Sequence, residues 1–333
     1  MTRLRVALVG VGRMGRVHAR ELARIPAVEV VCVADVDAQA AGAVAETFGA
    51  RTAAVGEAIA DPGVQALIIS TPTQSHEEII LAAVEAGKPV FVEKPLAHDL
   101  QASDRIIAAV TATGTSVQVG FQRRYDPAHQ EARRQIDAGE LGRIEGFRAV
   151  NRDAAAPPLH FLRSSGGIFV DLGIHDLDAA RFFIGEVAEV YATGGAVSDP
   201  MLAAHGLHDT AVATLRFVNG AVGTLEVALN SAWGYDVRTE VLGSDGRVTI
   251  DLDSRHLLKR YGRTGVSHDR PRDFSATYRE AYAAELEAFA WNVLNGTPVA
   301  PDVHDGRESL RLALAAQRSL ESGKVVRLRD PVS

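Results

Sequence analysis

Between Gly166 and Arg181 the chain reads Gly-Gly-Ile-Phe-Val-Asp-Leu-Gly-Ile-His-Asp-Leu-Asp-Ala-Ala-Arg, a stretch dense in groups that could move a proton. If it is helical from Phe169, then Asp171, His175 and Asp178 fall at i, i+4 and i+7 and share one face. Imidazole is the side chain whose ordinary pKa lies nearest neutrality, and a carboxylate one turn away can orient it or hold its charge. His175 is therefore the candidate general base or acid, with Asp171 its partner. The same residues also admit a plainer reading, a helical histidine that satisfies a buried carbonyl. Asp176 and Asp178 can equally be solvated face residues, Asp178 paired with Arg181.

A second chemical group closes an apolar run. Pro89–Val92 leads into Glu93-Lys94-Pro95, where a strand stopped by proline would place the Lys94 ammonium at the end of a sheet. Burial lowers an amine's pKa, so Lys94 could hold a hydroxyl oxygen or join a proton relay. A surface salt bridge with Glu93 is the alternative. After the run Ala66–Ile69 comes Ser70-Thr71-Pro72-Thr73-Gln74-Ser75-His76, in which Pro72 fixes a turn and Ser75 can cap a helix with Glu78. This segment reads equally as a capped loop and as a contact for the nicotinamide half of a cofactor, with His76 as a structural hydrogen-bonding group.

The cofactor is indicated at the start of the chain. Leu4–Val9 breaks into Gly10-Val11-Gly12-Arg13-Met14-Gly15 before a helix predicted over Arg16–Arg24. Strand, glycine turn and helix is the order in which this spacing means dinucleotide binding: one glycine for the turn, one for close approach of a pyrophosphate, one for helix-on-strand packing. The next apolar run, Val28–Ala34, ends in Asp35. A carboxylate there can accept both ribose hydroxyls of an adenosine and repels a 2′-phosphate, which indicates NAD over NADP. With such a hydride acceptor, a metal held by Asp171, His175 and Asp178 is not required, and none is expected. The stretch with His205, His208 and Asp209 reads as a loop, with a zinc site as the alternative.

These groups need elements to carry them. From Arg3 to Gly120, apolar runs at Leu4–Val9, Val28–Ala34, Ala66–Ser70, Pro89–Val92 and Val117–Gly120 are spaced by helical stretches at Arg16–Arg24, Ala38–Phe48, Ser75–Ala86 and Leu100–Thr111. Such alternation predicts βαβ units and a mostly parallel sheet, whose ligands bind at the carboxyl ends of strands. Beyond Gly120 the texture changes. A helix ends near Gly139, and strands are predicted at Arg143–Asn151, Val187–Ala192, Asp209–Val218, Gly223–Ala228, Tyr235–Leu242 and Gly246–Leu252, with a hairpin at Asn219-Gly220. The fold class expected is α/β: a Rossmann dinucleotide-binding domain followed by an α+β domain with a large open, mostly antiparallel sheet. The expected division is 1–121 and 122–333.

Composition restricts the classes. A chain of 333 residues with 47% hydrophobic and 23% charged residues fills two ordinary cores. A net charge of -7 argues against a bulk nucleic-acid binder, and no apolar stretch reaches the roughly 18 residues of a membrane span. Met1-Thr2-Arg3-Leu4-Arg5 does not resemble a signal peptide, so a cytoplasmic protein is expected. The single cysteine, Cys32, excludes an internal disulfide and reads as buried filler.

On Gly10 to Gly15 with Asp35, Thr71-Pro72-Thr73 with His76, Glu93-Lys94-Pro95, Gly120-Phe121-Gln122-Arg123-Arg124-Tyr125-Asp126, Gly166-Gly167 with Asp171, His175-Asp176-Leu177-Asp178 and Gly234-Tyr235-Asp236, the chain resembles the Gfo/Idh/MocA oxidoreductases over almost its whole length. Within that family it is most similar to the inositol 2-dehydrogenases. The resemblance implies Lys94, Asp171 and His175 as the catalytic set, with Pro95, often cis in the family, fixing Lys94. It implies NAD bound by Gly10, Gly12, Arg13, Met14, Gly15, Asp35, Ser70, Thr71, Pro72, Thr73, His76, Glu93 and Lys94. It also implies a cyclic polyol substrate held by Arg124, Tyr235 and Tyr278 or Tyr282 beside Lys94, Asp171 and His175, and the polar residues Asn151 and Arg152 join them as candidate lining of the second domain. The implied reaction oxidises myo-inositol to 2-keto-myo-inositol; scyllo-inositol, D-chiro-inositol and cyclic aldoses are alternatives, because the segment Asn151 to His160 departs from its relatives. A noncatalytic NAD-binding protein is the reading from another class. Assembly into homodimers or homotetramers through the second sheet is implied, and the last helix, 307–322, is expected to pack back on the first domain.

Overall fold

The computed structural model describes residues 2–251, 259–263, 265–268 and 273–328. In chain order its elements are β1 (Leu4–Val9), α1 (Arg13–Leu22), β2 (Val28–Ala34), α2 (Ala38–Phe48), β3 (Arg51–Thr52), α3 (Val55–Ala60), β4 (Ala66–Ile69), α4 (His76–Glu85), β5 (Val90–Glu93), α5 (Leu100–Thr113) and β6 (Val117–Gly120). There follow α6 (Pro127–Asp137), β7 (Ile144–Arg152), α7 (Leu159–Leu162), α8 (Ile174–Ile184), β8 (Val187–Gly195), β9 (Thr210–Phe217), β10 (Val222–Ala228), β11 (Asp236–Gly243) and β12 (Arg247–Asp251). The chain continues through β13 (Lys259–Gly262), β14 (Gly265–His268), α9 (Phe274–Thr277), α10 (Arg279–Asn295), α11 (Val303–Ser322) and β15 (Val326–Arg327).

The first compact unit comprises Met1–Asp126 and Arg279–Leu310. Its sheet runs β3-β2-β1-β4-β5-β6, every pair parallel. Strand order reverses between β1 and β4, the switch point at which the carboxyl ends of such sheets open a ligand crevice. The strands are almost continuous runs of Val, Ile, Leu and Ala because both faces are covered. α2 begins where the Asp37 carboxylate accepts the N–H groups of Gln39 and Ala40, and it ends at Gly49 in the left-handed region.

The second unit comprises Pro127–Tyr278 and the chain from Arg311 onward. Its seven-stranded sheet runs β12-β11-β7-β10-β9-β8-β15 and is antiparallel except for the β7–β10 pair. One face is apolar and covered: on β9 Ala211, Ala213, Leu215 and Phe217 are buried, while Val212, Thr214 and Arg216 point outward. α8 lies on β7 and β10 and closes a core with Phe147, Leu225, Val227 and Leu177. Leu252, the last residue of the predicted strand Gly246–Leu252, lies outside the described residues.

The units are not the contiguous halves 1–121 and 122–333. Leu286, Phe289 and Ala290 of α10 join Leu4, Val6, Val30, Ile68 and Phe91 in the first core, so the chain returns to its first sheet after building the second. The last helix also divides. A side chain at Gly306 would meet Val119 at 2.9 Å and Leu96 at 3.1 Å, and Arg307 pairs with Asp104 at 2.5 Å, all within the first unit. Farther along, Ser319 Oγ accepts the Ala192 N–H at 2.8 Å on the second sheet. The first turns of α11, to Leu310, thus belong to the first unit, and the rest of the helix from Arg311 to the second.

Candidate active site

The glycine turn is shaped by what its glycines exclude. Gly10 has φ +87°, and a Cβ there would stand 2.8 Å from the main chain of Ser70 and Thr71. At Gly15 it would stand 2.0 Å from Gly10 O, which is how closely α1 packs on β1. At Gly12 nothing lies within 4 Å. The exposed loop before α1 is therefore open where a pyrophosphate would approach main-chain N–H groups, and the residues present fit a dinucleotide. Arg13 is exposed and Met14 half-buried beside it.

Asp35 closes β2 and is half-buried. Its Oδ2 accepts the Val11 N–H at 2.6 Å and its Oδ1 the Asp37 N–H at 2.8 Å. The carboxylate that sequence assigns to ribose thus also holds the glycine turn; its remaining lone pairs leave room for hydroxyl donors. Ser70 Oγ donates to Gly10 O at 2.8 Å, tying the β4 turn to the glycine turn. Thr71 and Thr73 are half-buried and Pro72 is exposed.

His76 and Glu93 are placed otherwise than the cofactor assignment expects. The His76 ring nitrogens lie 2.9 Å from Pro95 O and 3.0 Å from Thr71 O, so the buried ring sits between the two loops and, when neutral, donates to one of these carbonyls. Burial pushes its pKa below the ordinary value, which the two carbonyls oppose only in part. Glu93 turns into the core, where Oε1 meets His18 Nε2 at 2.7 Å and Oε2 accepts the Lys94 main-chain N–H at 3.2 Å. Lys94 itself is half-buried at the end of β5, and the Lys94–Pro95 peptide bond is cis.

In the second unit, Gly166 and Gly167 have φ of +81° and +99°, and a Cβ at Gly167 would collide with the Gln317 amide at 2.4 Å. The chain then makes a π-helical turn over Phe169–Gly173 before α8. The wider turn changes the helical phase expected from Phe169. Asp171 and His175 are each half-buried, whereas Asp178 is 1% exposed. Asp171 borders a small cleft with Ser165, Gly167, His208 and Gln317. His208 reaches it from the loop before β9, while Asp209 is spent accepting the N–H groups of Val197, Ser198 and Asp199.

The remaining substrate assignments divide. Asn151 is fully buried and donates to Asp176 Oδ2 at 2.7 Å and Leu172 O at 3.3 Å; it anchors α8 to β7 rather than facing a ligand. Arg152 pairs with Glu226 and lies 5.2 Å over the Trp233 ring. Arg124, in the first unit, is held by Asp305 at 3.0 Å. Tyr235 and Tyr278 are buried at 5% and 1% exposure. Sequence reasoning did not find Asp305, Gln317, His208 in this place, or the His18 and Glu285 partners of Glu93. All are polar residues far along the chain from what they touch, and only the glycine at 167, needing space, signalled one of them.

Taken together, the fold and these loops define a two-unit protein with a dinucleotide-binding Rossmann sheet. The NAD-binding Rossmann model of the oxidoreductase family matches residues 4–121, and the GFO/IDH/MocA C-terminal domain model matches 129–249. The chain is 39% identical over 330 residues to the scyllo-inositol 2-dehydrogenase (NAD(+)) of Bacillus subtilis, covering 98% of this chain and 96% of that one. It is 35% identical to the myo-inositol 2-dehydrogenase of Thermotoga maritima, covering 99% and 100%. Among solved structures, the scyllo-inositol dehydrogenase of Lactobacillus casei with bound NAD(H) and scyllo-inositol superposes with a TM-score of 0.93 at 28% identity, covering 98% of this chain and 99% of that one. The chain belongs to the Gfo/Idh/MocA oxidoreductase family.

Proposed function

We propose that the protein oxidises a secondary hydroxyl of an inositol with NAD as acceptor, myo-inositol to 2-keto-myo-inositol first. The observation that carries this reading is the glycine turn: open at Gly12, closed at Gly10 and Gly15, and held by Asp35, on a chain whose relatives are named for inositols and NAD. Gly10 to Gly15, Asp35 and the Ser70–Thr73 loop would hold the dinucleotide. When bound, NAD supplies the acceptor for the hydrogen leaving the substrate carbon. Lys94 holds the alcohol oxygen. His175 takes its proton, and Asp171 keeps the imidazole turned to receive it. Arg152, steadied by Glu226 and Trp233, is the substrate-side cation of the second unit.

Scyllo-inositol is the second reading, because the relative named for that isomer shares 39% identity. Copies of the chain are proposed to associate as dimers or tetramers through the open face of the second sheet, where Tyr191, Val212 and Val222 are 39%, 40% and 60% exposed. Among the described residues no helix is long and apolar enough to cross a membrane. The test of the reaction is NADH formation over a panel of myo-, scyllo- and D-chiro-inositol and D-glucose. Turnover with at least one inositol, exceeding that with glucose, is expected; tight NAD binding without reduction by any polyol would overturn the proposal.

A further inference from the structure

Three ionisable side chains meet inside the first unit. His18 on α1, Glu93 at the end of β5 and Glu285 on α10 are 0%, 7% and 0% exposed. One nitrogen or oxygen from each lies within 4.8 Å of the others. Glu93 receives two donors, His18 at 2.7 Å and the Lys94 main chain at 3.2 Å. Both carboxyl oxygens of Glu285, and Nδ1 of His18, are buried without a hydrogen-bond partner among the described residues. The rings of Phe91 and Tyr282 stand 5.3 and 6.0 Å from the His18 ring. From β6, Gln118 donates to the Glu285 main-chain carbonyl at 3.0 Å.

An imidazole and two carboxyl groups in a dry pocket suit either a cation or shared protons. Ligands bonded tetrahedrally to one cation at about 2.0–2.2 Å stand roughly 3.3 Å apart. The 2.7 Å between His18 and Glu93 is the spacing of a charge-assisted hydrogen bond instead. Two ionised carboxylates so close and so dry repel, so one is neutral. Glu93 has the donors that favour its charged form; the Glu285 carboxyl has none.

We propose that His18, Glu93 and Glu285 form a buried positioning site beneath Lys94, in which Glu285 carries a proton, Glu93 carries the negative charge, and the Glu93 carboxylate fixes the Lys94 main chain. Burial, and next the charge of Glu93, push the Glu285 carboxyl well above its ordinary value. The titratable groups facing it are Glu93 from β5, His18 from α1, and Tyr125 from the turn after β6, whose hydroxyl burial and Glu285 together raise. That Lys94 serves a reaction rests on the function proposed above; the proton on Glu285 does not.

Infrared spectra, melting curves and kinetics of the full chain test this. At neutral pH the wild type should show the carbonyl band of a buried carboxylic acid, and Glu285→Gln should lack it. A carboxyl raised in the fold stabilises fully below its ordinary value of 4.5, and that stability is lost as pH rises toward the folded value. Glutamine cannot lose a proton, so the melting temperature of Glu285→Gln relative to wild type should climb by roughly 2–4 °C per pH unit between about pH 5 and pH 7. Glu93→Gln should lower kcat on the order of 100-fold with NAD affinity unchanged, and Glu93→Asp should recover part of it. No acid band in wild type, parallel melting curves, or a stoichiometric divalent metal in the purified protein would overturn the proton assignment. Wild-type kcat in Glu93→Gln would overturn the positioning role. If the wild type oxidises no polyol, the functional reading falls alone and the infrared and melting results still decide this one.

Discussion

Asn151 lies on β7 with its amide nitrogen 2.7 Å from a buried carboxyl oxygen of Asp176, so its donor group is spent inside the second unit. Asn151→Ala is expected to cost about 1–3 kcal/mol of stability, since it removes a buried hydrogen bond to a charged group. The substrate KM should stay near wild type. Thermal melting and steady-state kinetics separate the two effects, and a raised KM with unchanged melting would return Asn151 to the substrate. The difference between expectation and structure here is typical of single residues. Lys94, Asp171 and His175 stand out in the sequence because an ammonium stopped by proline at a strand end, and an imidazole four residues from a carboxylate, are groups that can move a proton. What Asn151, His76 and Glu93 do depends on partners that are distant in sequence, and a residue type carries no record of its partner.

At the scale of elements the glycine turn makes the sharpest prediction. Gly15→Ala would drive a methyl into the main chain of Gly10, at 2.0 Å, and should cost about 1–3 kcal/mol or more as overpacking. Gly12→Ala meets nothing within 4 Å, so the fold should melt as wild type while NAD affinity drops. Melting curves with and without NAD check both; a Gly12→Ala protein binding NAD normally would move the pyrophosphate elsewhere. The β1 and β2 runs and the α2 stretch were legible from their apolar and helical spacing, and the structure adds the N-cap at Asp37 and the left-handed Gly49 that bound α2. The short β3 and α3 were not, because two strand residues and six helix residues give no period to read. The π-helical turn at Phe169–Gly173 was invisible for a related reason: a regular helix is assumed when faces are counted, and Asp178, placed on the face of Asp171 by that count, is buried at 1% exposure.

For the whole molecule, the order of apolar runs was enough for two sheets of the observed kinds, a parallel one and a largely antiparallel one. It was not enough for the path between them. An apolar stripe on α10 says that the helix must be covered, not which sheet covers it, and Leu286 and Phe289 chose the first. α10 and the first turns of α11 thereby bring Glu285 and Asp305 to the same unit as Glu93 and Arg124. The proposed catalysis depends on Lys94 at the end of β5, and the proposed NAD site is the glycine turn with Asp35. The most direct measurement is therefore Lys94→Ala, assayed for NAD binding and for NADH formation with the best inositol. NAD should bind as in wild type while kcat falls on the order of 100-fold or more. Wild-type kcat in Lys94→Ala would contradict it.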